Sequence, residues 1–251
     1  AMVGRVLHNY DRVLAREGTD RERFLAIGAA PESVEVGGNV KFDYEPDVAA
    51  LEVAPALERL IAGRKTLVLG STMEGEDEEL LPEIERFVRE RDAFVIIAPR
   101  KPERFEQVAG LLATTSLPFV RRTEMNADSR GSVLLLDTFG ELAKIYGYAT
   151  AAFIGGSIAP FGGHNPIEAA AAGVPVCFGP SMSNFREIAA TFLGNGSAVE
   201  VKNPSEVIAF AERMLDDEVE QRRIGELARQ TVLQNRGASE KTARRILELL
   251  P

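Results

Sequence analysis

The chain has 251 residues, of which 45% are hydrophobic and 27% charged, and these values are typical of a globular protein with a sizeable core. The 38 acidic and 29 basic residues give a net charge of −9, which argues against a protein that binds nucleic acid over a broad surface. The single cysteine, Cys177, has no partner for an internal disulfide, and with only two histidines we expect no structural metal site.

Short apolar runs alternate with longer amphipathic stretches along most of the chain. Several runs, such as residues 67–70 and 94–98, are continuously apolar, which is typical of parallel strands covered by helices on both faces. Strands are predicted at residues 12–15, 34–37, 66–70, 93–98, 118–121, 132–137, 150–154, 174–178 and 197–201. Helices are predicted at residues 19–27, 47–62, 75–91, 102–113, 140–146, 165–172, 183–193, 204–215, 218–234 and 238–250. The alternation predicts an α/β fold with a Rossmann-like parallel sheet covered by helices.

The first 40 residues are predicted to be separate from the rest. They supply one strand–helix–strand unit, and an acidic, proline-containing stretch follows at residues 43–55. We therefore place a boundary near residues 40–46, which gives the ranges 1–40 and 41–251. About 40 residues are too few for a stable α/β domain, so we expect them to pack on the larger domain or to be the edge of a missing one. The Ala1-Met2 start resembles the remnant of an expression tag, which suggests a chain cut from a longer protein.

The richest segment for ligand binding is residues 154–180, IGGSIAPFGGHNPIEAAAAGVPVCFGP. A predicted strand ends at Ile154, a loop with four glycines follows, and a helix is predicted to begin near Asn165. Glycines let a ligand approach the backbone, and a helix N-terminus offers free N–H groups to an anion. The pattern favours a ligand site over purely structural glycine turns. Glu168, one turn along the helix, is placed either to accept ribose hydroxyls or merely to complement the helix dipole. His164 is placed either to cap the helix or to contact the ligand.

Three further loops follow predicted strands and lie at the same edge of the predicted sheet. Ser71 and Thr72 offer hydroxyl groups in the first of them. Arg100, in the second, is placed to bind an anion, although a surface ion pair would use the same residue. The third offers the backbone N–H groups of residues 140–142. The acidic run at residues 74–79 is interpreted as a solvated first helical turn that complements the helix dipole.

Taken together, these segments resemble the 3-deoxy-D-manno-octulosonic acid (Kdo) transferases of lipid A core synthesis, glycosyltransferase family 30. The resemblance runs from about Asp11 to the end, and its most specific part is FIGGS…GGHNPIE. It extends through GGNVKFDYEP, GSTMEGEDEELL, APRKPERFEQV, LLLDTFGELAKIYGYATAA and QNRGASE. The resemblance implies a two-domain GT-B architecture, in which residues 41–251 are the C-terminal donor-binding domain and residues 1–40 a remnant of the acceptor domain.

The resemblance also implies a function. An inverting transferase would bind CMP-Kdo and transfer Kdo to a lipid A precursor in lipopolysaccharide biosynthesis, at the cytoplasmic face of the bacterial inner membrane. Asn165 and the backbone of residues 164–166 would hold the phosphate, Glu168 the ribose, and Arg100 the phosphate or the sugar carboxylate. The full implied donor-binding set is Ser71, Thr72, Arg100, Gly140, Glu141, Leu142, Gly163, His164, Asn165 and Glu168.

The resemblance leaves the catalytic residue outside this chain. The general base of the family is a glutamate of the N-terminal domain, so we expect the isolated chain to be inactive. We expect no metal and no cofactor. The intact enzyme would associate with the membrane, whereas this chain has no apolar run of about 18 residues and is expected to be soluble. The alternatives are a UDP-sugar-dependent GT-B transferase or epimerase, or a nucleotide-binding module without catalysis.

Overall fold

The computed structural model describes residues 2–45 and 51–250. The helices are α1 Met2–Leu7, α2 Gly18–Ala26, α3 Ala54–Ile61, α4 Glu76–Arg91, α5 Phe105–Ala113, α6 Leu142–Ile145, α7 Ile167–Ala171, α8 Arg186–Gly194, α9 Pro204–Asp216, α10 Glu218–Gln234 and α11 Ala238–Leu247. The strands are β1 Val13–Ala15, β2 Val34–Val36, β3 Thr66–Thr72, β4 Phe94–Pro99, β5 Phe119–Arg121, β6 Val133–Leu135, β7 Ala151–Ile154, β8 Val176–Phe178 and β9 Ala198–Glu200.

Close contacts divide the chain into two compact units. One comprises Ala1–Glu45 together with Val232–Pro251, and the other comprises Pro46–Thr231. This division differs from the ranges 1–40 and 41–251, because the C-terminal residues group with the N-terminal segment. The assignment of those ranges to an acceptor and a donor domain stays a prediction.

The larger unit is built on a seven-stranded sheet in the order β5-β6-β4-β3-β7-β8-β9. Every pairing in it is parallel. Leu67 and Leu69 of β3 are completely buried, and so is Val68 between them, whose side chain points to the opposite face. Both faces of the sheet are therefore covered, and the predicted parallel, helix-covered sheet is confirmed. Apolar side chains of α4, α5 and α9 form one core with those on one face of the sheet.

The position of β3 creates the place where a ligand can bind. β3 comes first in this sheet along the chain, yet it lies at the centre, between β4 and β7. Along the chain, strands are therefore added first on the β4 side of β3 and later on its β7 side. At such a switch point the loops that follow neighbouring strands diverge, and they leave a crevice beyond the carboxyl ends of the strands.

Several helices differ in extent from their predictions. α3 begins at Ala54, whereas the helix was predicted from residue 47; residues 47–50 of that prediction lie outside the described part of the chain. α7 begins at Ile167 rather than near Asn165, because the Asn165 side chain accepts a hydrogen bond from the Ile167 amide at 3.1 Å and so forms a turn that precedes the helix. α6 is likewise shorter than residues 140–146, and α1 was not predicted.

The smaller unit contains the parallel pair β1 and β2, with α2 packed on it. The C-terminal segment of this unit is joined to its N-terminal segment by specific polar contacts. The Asp43 carboxylate accepts backbone N–H groups of Gly237 and Ser239, each at 2.5 Å. Arg245 forms an ion pair with Glu35 at 2.6 Å. Among the described residues, no helix combines the length and the apolar character that a membrane span requires.

Candidate ligand-binding site

A pocket of about 480 Å³ opens beyond the carboxyl ends of β3, β4, β6 and β7. The last residues of β3 and β4 and the loops after β4, β6 and β7 contribute to its wall, as the switch-point geometry predicts. Seven of the ten predicted donor-binding residues line it: Ser71, Arg100, Gly140, Leu142, His164, Asn165 and Glu168. The wall also contains Ala98, Pro99, Thr138 and Phe139, which belong to the predicted loops but not to the predicted donor-binding set. It further contains residues that the sequence did not indicate, namely Leu136, Ala143, Tyr146 and Phe185.

The other three predicted residues do not line the pocket. Thr72 is completely buried beside the Asp77 carboxyl. The Glu141 side chain forms an ion pair with Arg122 at 2.7 Å, and the prediction for this residue concerned its backbone N–H group rather than its side chain. The Gly163 amide donates to the Gly156 carbonyl at 2.7 Å, so it is not available to a ligand.

Gly163 nevertheless shapes the loop. Its φ of +73° is the left-handed conformation that favours glycine, and a Cβ at this position would stand 2.2 Å from the Met182 sulfur. The role of this glycine in the structure is therefore conformational.

Three ionisable side chains meet at the pocket wall. The exposed Arg100 guanidinium makes no ion pair with any carboxylate in the described part of the chain, and its charge acts on both His164 and Glu168. Burial raises the pKa of Glu168, while a 3.5 Å hydrogen bond from Asn165 and the charge of Arg100 oppose that shift. Burial, and secondarily Arg100, lower the pKa of His164. At neutral pH the pocket thus presents an uncharged imidazole next to an unpaired cation.

The loop between β6 and α6 adds backbone donors. The N–H groups of residues 140–142 donate to no other residue that the structure describes. Asp137, which precedes this turn in the chain, holds it in place by accepting hydrogen bonds from Arg121 at 2.8 Å and from the Thr123 amide at 2.9 Å. An anion in the pocket would therefore meet free N–H groups on a fixed turn, as well as Arg100.

The acidic run at residues 74–79 requires a correction. It was interpreted as solvated, but Glu76 is only 2% exposed and Asp77 only 3%. Asp77 pairs with Arg104 at 2.9 Å, and the Glu76 carboxylate accepts backbone N–H groups from the glycine-rich loop. The backbone N–H groups in the first part of that loop are thus hydrogen-bonded to a side chain of the protein, and only the second part of the loop, around His164 and Asn165, faces the pocket.

No group of three or more histidine, cysteine, aspartate or glutamate side chains within residues 2–45 and 51–250 is arranged to hold a metal ion.

Comparison with known proteins connects this geometry to one kind of transferase. The chain is 34% identical to the 3-deoxy-D-manno-octulosonic acid transferase of Bordetella pertussis over 94% of its own length and 56% of the relative's. It is 31% identical to the Haemophilus influenzae transferase, over 95% of its length and 56% of the relative's. A family model described as 3-deoxy-D-manno-octulosonic-acid transferase (kdotransferase) matches residues 1–44.

The chain resembles the C-terminal part of the Kdo transferases. The crystal structure of the C-terminal CMP-Kdo binding domain of WaaA from Acinetobacter baumannii superposes with a TM-score of 0.64 at 25% identity, over 72% of this chain and 99% of that domain. The predicted resemblance is thereby confirmed. The chain spans about half the length of the curated Kdo transferases that it matches.

More distant structures agree in fold alone. A glycosyltransferase from Rickettsia africae has a TM-score of 0.61 at 16% identity, over 99% of this chain and 66% of that one. The Anabaena HepE structure with UDP-glucose has a TM-score of 0.57 at 13% identity, over 99% of this chain and 67% of that one. These matches confirm the predicted GT-B glycosyltransferase fold.

Proposed function

We propose that this chain is the CMP-Kdo-binding part of an inverting glycosyltransferase that adds Kdo to a lipid A precursor during lipopolysaccharide biosynthesis. The similarity to curated Kdo transferases and to a CMP-Kdo binding domain supports the donor. The intact enzyme would work at the cytoplasmic face of the bacterial inner membrane, because its acceptor is a lipid.

The observation that carries the proposal is the unpaired Arg100 in the same pocket as the buried Glu168. CMP-Kdo carries two anionic groups, a phosphate and a sugar carboxylate, and it also carries a ribose with two hydroxyls. An arginine without a protein partner suits an anion, and the free N–H groups of residues 140–142 support the same ligand. Glu168, three residues after the Asn165 that holds the phosphate in this proposal, accepts the ribose hydroxyls.

The proposed reaction is a direct displacement. The acceptor hydroxyl loses its proton to a glutamate outside this chain and attacks C2 of Kdo. The new carbon–oxygen bond forms as the bond from C2 to the CMP phosphate oxygen breaks, and the electron pair leaves with CMP. Arg100 and the nearby N–H groups stabilise the charge that builds up on the departing phosphate. In this proposal the chain supplies donor binding and leaving-group stabilisation, but no catalytic base.

Calorimetric titration of the chain with CMP, UMP and AMP tests the proposal. We expect clear preference for CMP at a stoichiometry of one. Equal binding of CMP and UMP would favour the alternative of a UDP-sugar enzyme with the same architecture. Failure of all three nucleotides to bind would reject the pocket as a donor site, and Kdo transfer by this chain alone would contradict a base supplied from elsewhere.

A further inference from the structure

Glu76, the first residue of α4, is a buried carboxylate that does not line the pocket. One of its oxygens, Oε2, accepts the Met73 amide at 3.1 Å and the Gly156 amide at 2.6 Å. The other, Oε1, accepts the Ser157 amide at 2.9 Å and, less closely, two further amides. These two belong to Ile158, at 3.0 Å, and Ala159, at 3.3 Å.

The backbone N–H groups around Glu76 form an anion-binding site, in which the Glu76 carboxylate takes the place of a bound anion. Successive N–H groups in a turn form a concave set of donors that suits a negative charge. Hydrogen bonds to a carboxylate are shorter and stronger than those between neutral groups. Removing the charge would leave several buried N–H groups without an acceptor, and each such group carries a desolvation cost.

The five donors come from two different loops, and each loop adjoins residues that line the pocket. Met73 lies two residues after Ser71, which is part of the pocket wall at the end of β3. The Gly156 carbonyl accepts the Gly163 amide at 2.7 Å, and Gly163 directly precedes His164, which lines the pocket. A Cβ on Gly156 would stand 2.9 Å from the His164 ring, which shows how closely the two residues pack. One carboxylate thus joins the loop after β3 to the loop after β7.

We propose that Glu76 is a positioning residue, which fixes these two loops so that Ser71, His164 and Asn165 face the ligand together. Glu76 itself touches no ligand, and its effect passes through the backbone. The identity of the ligand rests on the proposed function, whereas the ordering of the two loops does not.

The experiment compares three variants of the full chain with the parent. Glu76→Gln keeps the size of the side chain but replaces one carboxylate oxygen with an NH₂ group. An NH₂ group cannot accept hydrogen bonds from the backbone N–H groups, so the hydrogen bonds to that oxygen are lost. Glu76→Asp keeps the charge but is one methylene shorter and cannot reach both loops. Glu79→Gln is the matched control, because Glu79 lies on the same turn of α4 and is exposed.

The first readout is amide hydrogen exchange, which needs no ligand. In Glu76→Gln we expect faster exchange in residues 71–75 and 155–165, with β4 as protected as in the parent and Glu79→Gln unchanged. Glu76→Asp should give the same pattern and takes the place of Glu76→Gln if that variant does not fold. Exchange rates in both loops equal to those of the parent would overturn the proposal, whether or not the parent binds CMP.

The second readout is calorimetric titration with CMP well below the melting temperature. We expect the dissociation constant to rise about tenfold or more at a stoichiometry of one, because small misplacements of binding groups are costly. A merely structural role would lower the melting temperature and leave the dissociation constant of the folded protein unchanged, and that result would overturn the positioning role. Absence of CMP binding by the parent would instead reject the proposed function and leave the exchange result to decide on Glu76.

Discussion

At the scale of single residues, Arg100 is a cation that the folded protein leaves without a carboxylate partner, in a chain whose net charge is −9. We predict that Arg100→Ala weakens CMP binding by about 1.5–3 kcal/mol, the range for hydrogen bonds to charged groups. Cytidine binding should change little, because cytidine lacks the phosphate. Titration with both ligands checks this, and Lys101→Ala, which removes the same charge from the neighbouring exposed residue, is the control. Equal losses for CMP and cytidine would remove the phosphate role of Arg100.

Glu168 allows a prediction that includes pH. Glu168→Gln should weaken CMP binding at neutral pH, because an amide accepts ribose hydroxyls less strongly than a carboxylate. Burial raises the pKa of Glu168, so in the parent the carboxylate takes up its proton at a higher pH than the usual value of 4.5. The ratio of the variant's dissociation constant to the parent's should therefore fall towards one as the pH falls through this raised pKa. Titrations across pH measure the ratio, in which the protonation of CMP itself cancels. A variant that binds CMP like the parent at pH 7 would leave Glu168 with only a helix-dipole role.

The residues of the pocket could be predicted from the sequence to a large extent because each follows a predicted strand. Parallel strands end at one edge, so Ser71, Arg100 and His164 meet there although they are far apart in the chain. Glu76 could not be predicted in the same way. It belongs to a run of acids in which Glu74, Glu78 and Glu79 are exposed while Glu76 and Asp77 are buried, and the run itself has no signal that marks which carboxylates are buried.

At the scale of elements, α4 is fastened to the segment after β4 by a buried ion pair. The Arg104 side chain, from a residue 5% exposed, binds Asp77 at 2.9 Å and Glu78 at 3.1 Å. We predict that Arg104→Met lowers the free energy of unfolding at pH 7 by about 3–5 kcal/mol, because it leaves the Asp77 carboxylate buried without a counter-charge. Urea unfolding measures the loss.

The same ion pair makes the loss depend on pH. Burial already raises the pKa of Asp77 above 3.8, and without Arg104 the shift should grow. A raised folded-state pKa favours folding below that pKa and loses this contribution as the pH rises through it. The deficit of Arg104→Met should therefore shrink as the pH falls towards 3.8. Asp77→Asn in the Arg104→Met background removes the charge and should recover part of the loss at pH 7; absence of recovery at pH 7 would contradict the unpaired-charge explanation.

The limits of several elements were less predictable than their existence. Asn165 and Pro166 suit the beginning of a helix in sequence, yet α7 begins only at Ile167 because the Asn165 side chain forms a turn with the Ile167 amide before the helix. α6 is also shorter than its apolar pattern. The donors of residues 140–142 consequently come from the turn before α6 and from its first residue, Leu142, rather than from a longer helix.

At the scale of the whole molecule, every residue that lines the pocket lies between Ser71 and Phe185, within the larger compact unit. We predict that a fragment of residues 46–234, which keeps α10 complete, binds CMP with a dissociation constant within a few-fold of that of the full chain. Calorimetry on both proteins measures this, with circular dichroism as the control for folding. A folded fragment without CMP affinity would mean that the remaining residues contribute to donor binding.

The alternation of apolar runs and amphipathic stretches was enough to predict a parallel, helix-covered sheet. It could not predict which segments group together over long distances. The grouping of Val232–Pro251 with the N-terminal segment depends on contacts such as those of Asp43 with Gly237 and of Glu35 with Arg245. Such pairs are separated by about two hundred residues, and local patterns carry no information about them.

The central position of β3 also has a consequence for synthesis on the ribosome. One edge of β3 is covered by β4 soon after it is made, but the other waits for β7. Since β7 begins roughly 80 residues after β3 ends, translation at about 5–20 residues per second leaves that edge open for roughly 4–16 seconds. An unpaired edge on an apolar strand is a template for association with other chains. The strand around which the crevice forms is therefore a segment that the nascent chain must shield from wrong pairing until β7 emerges.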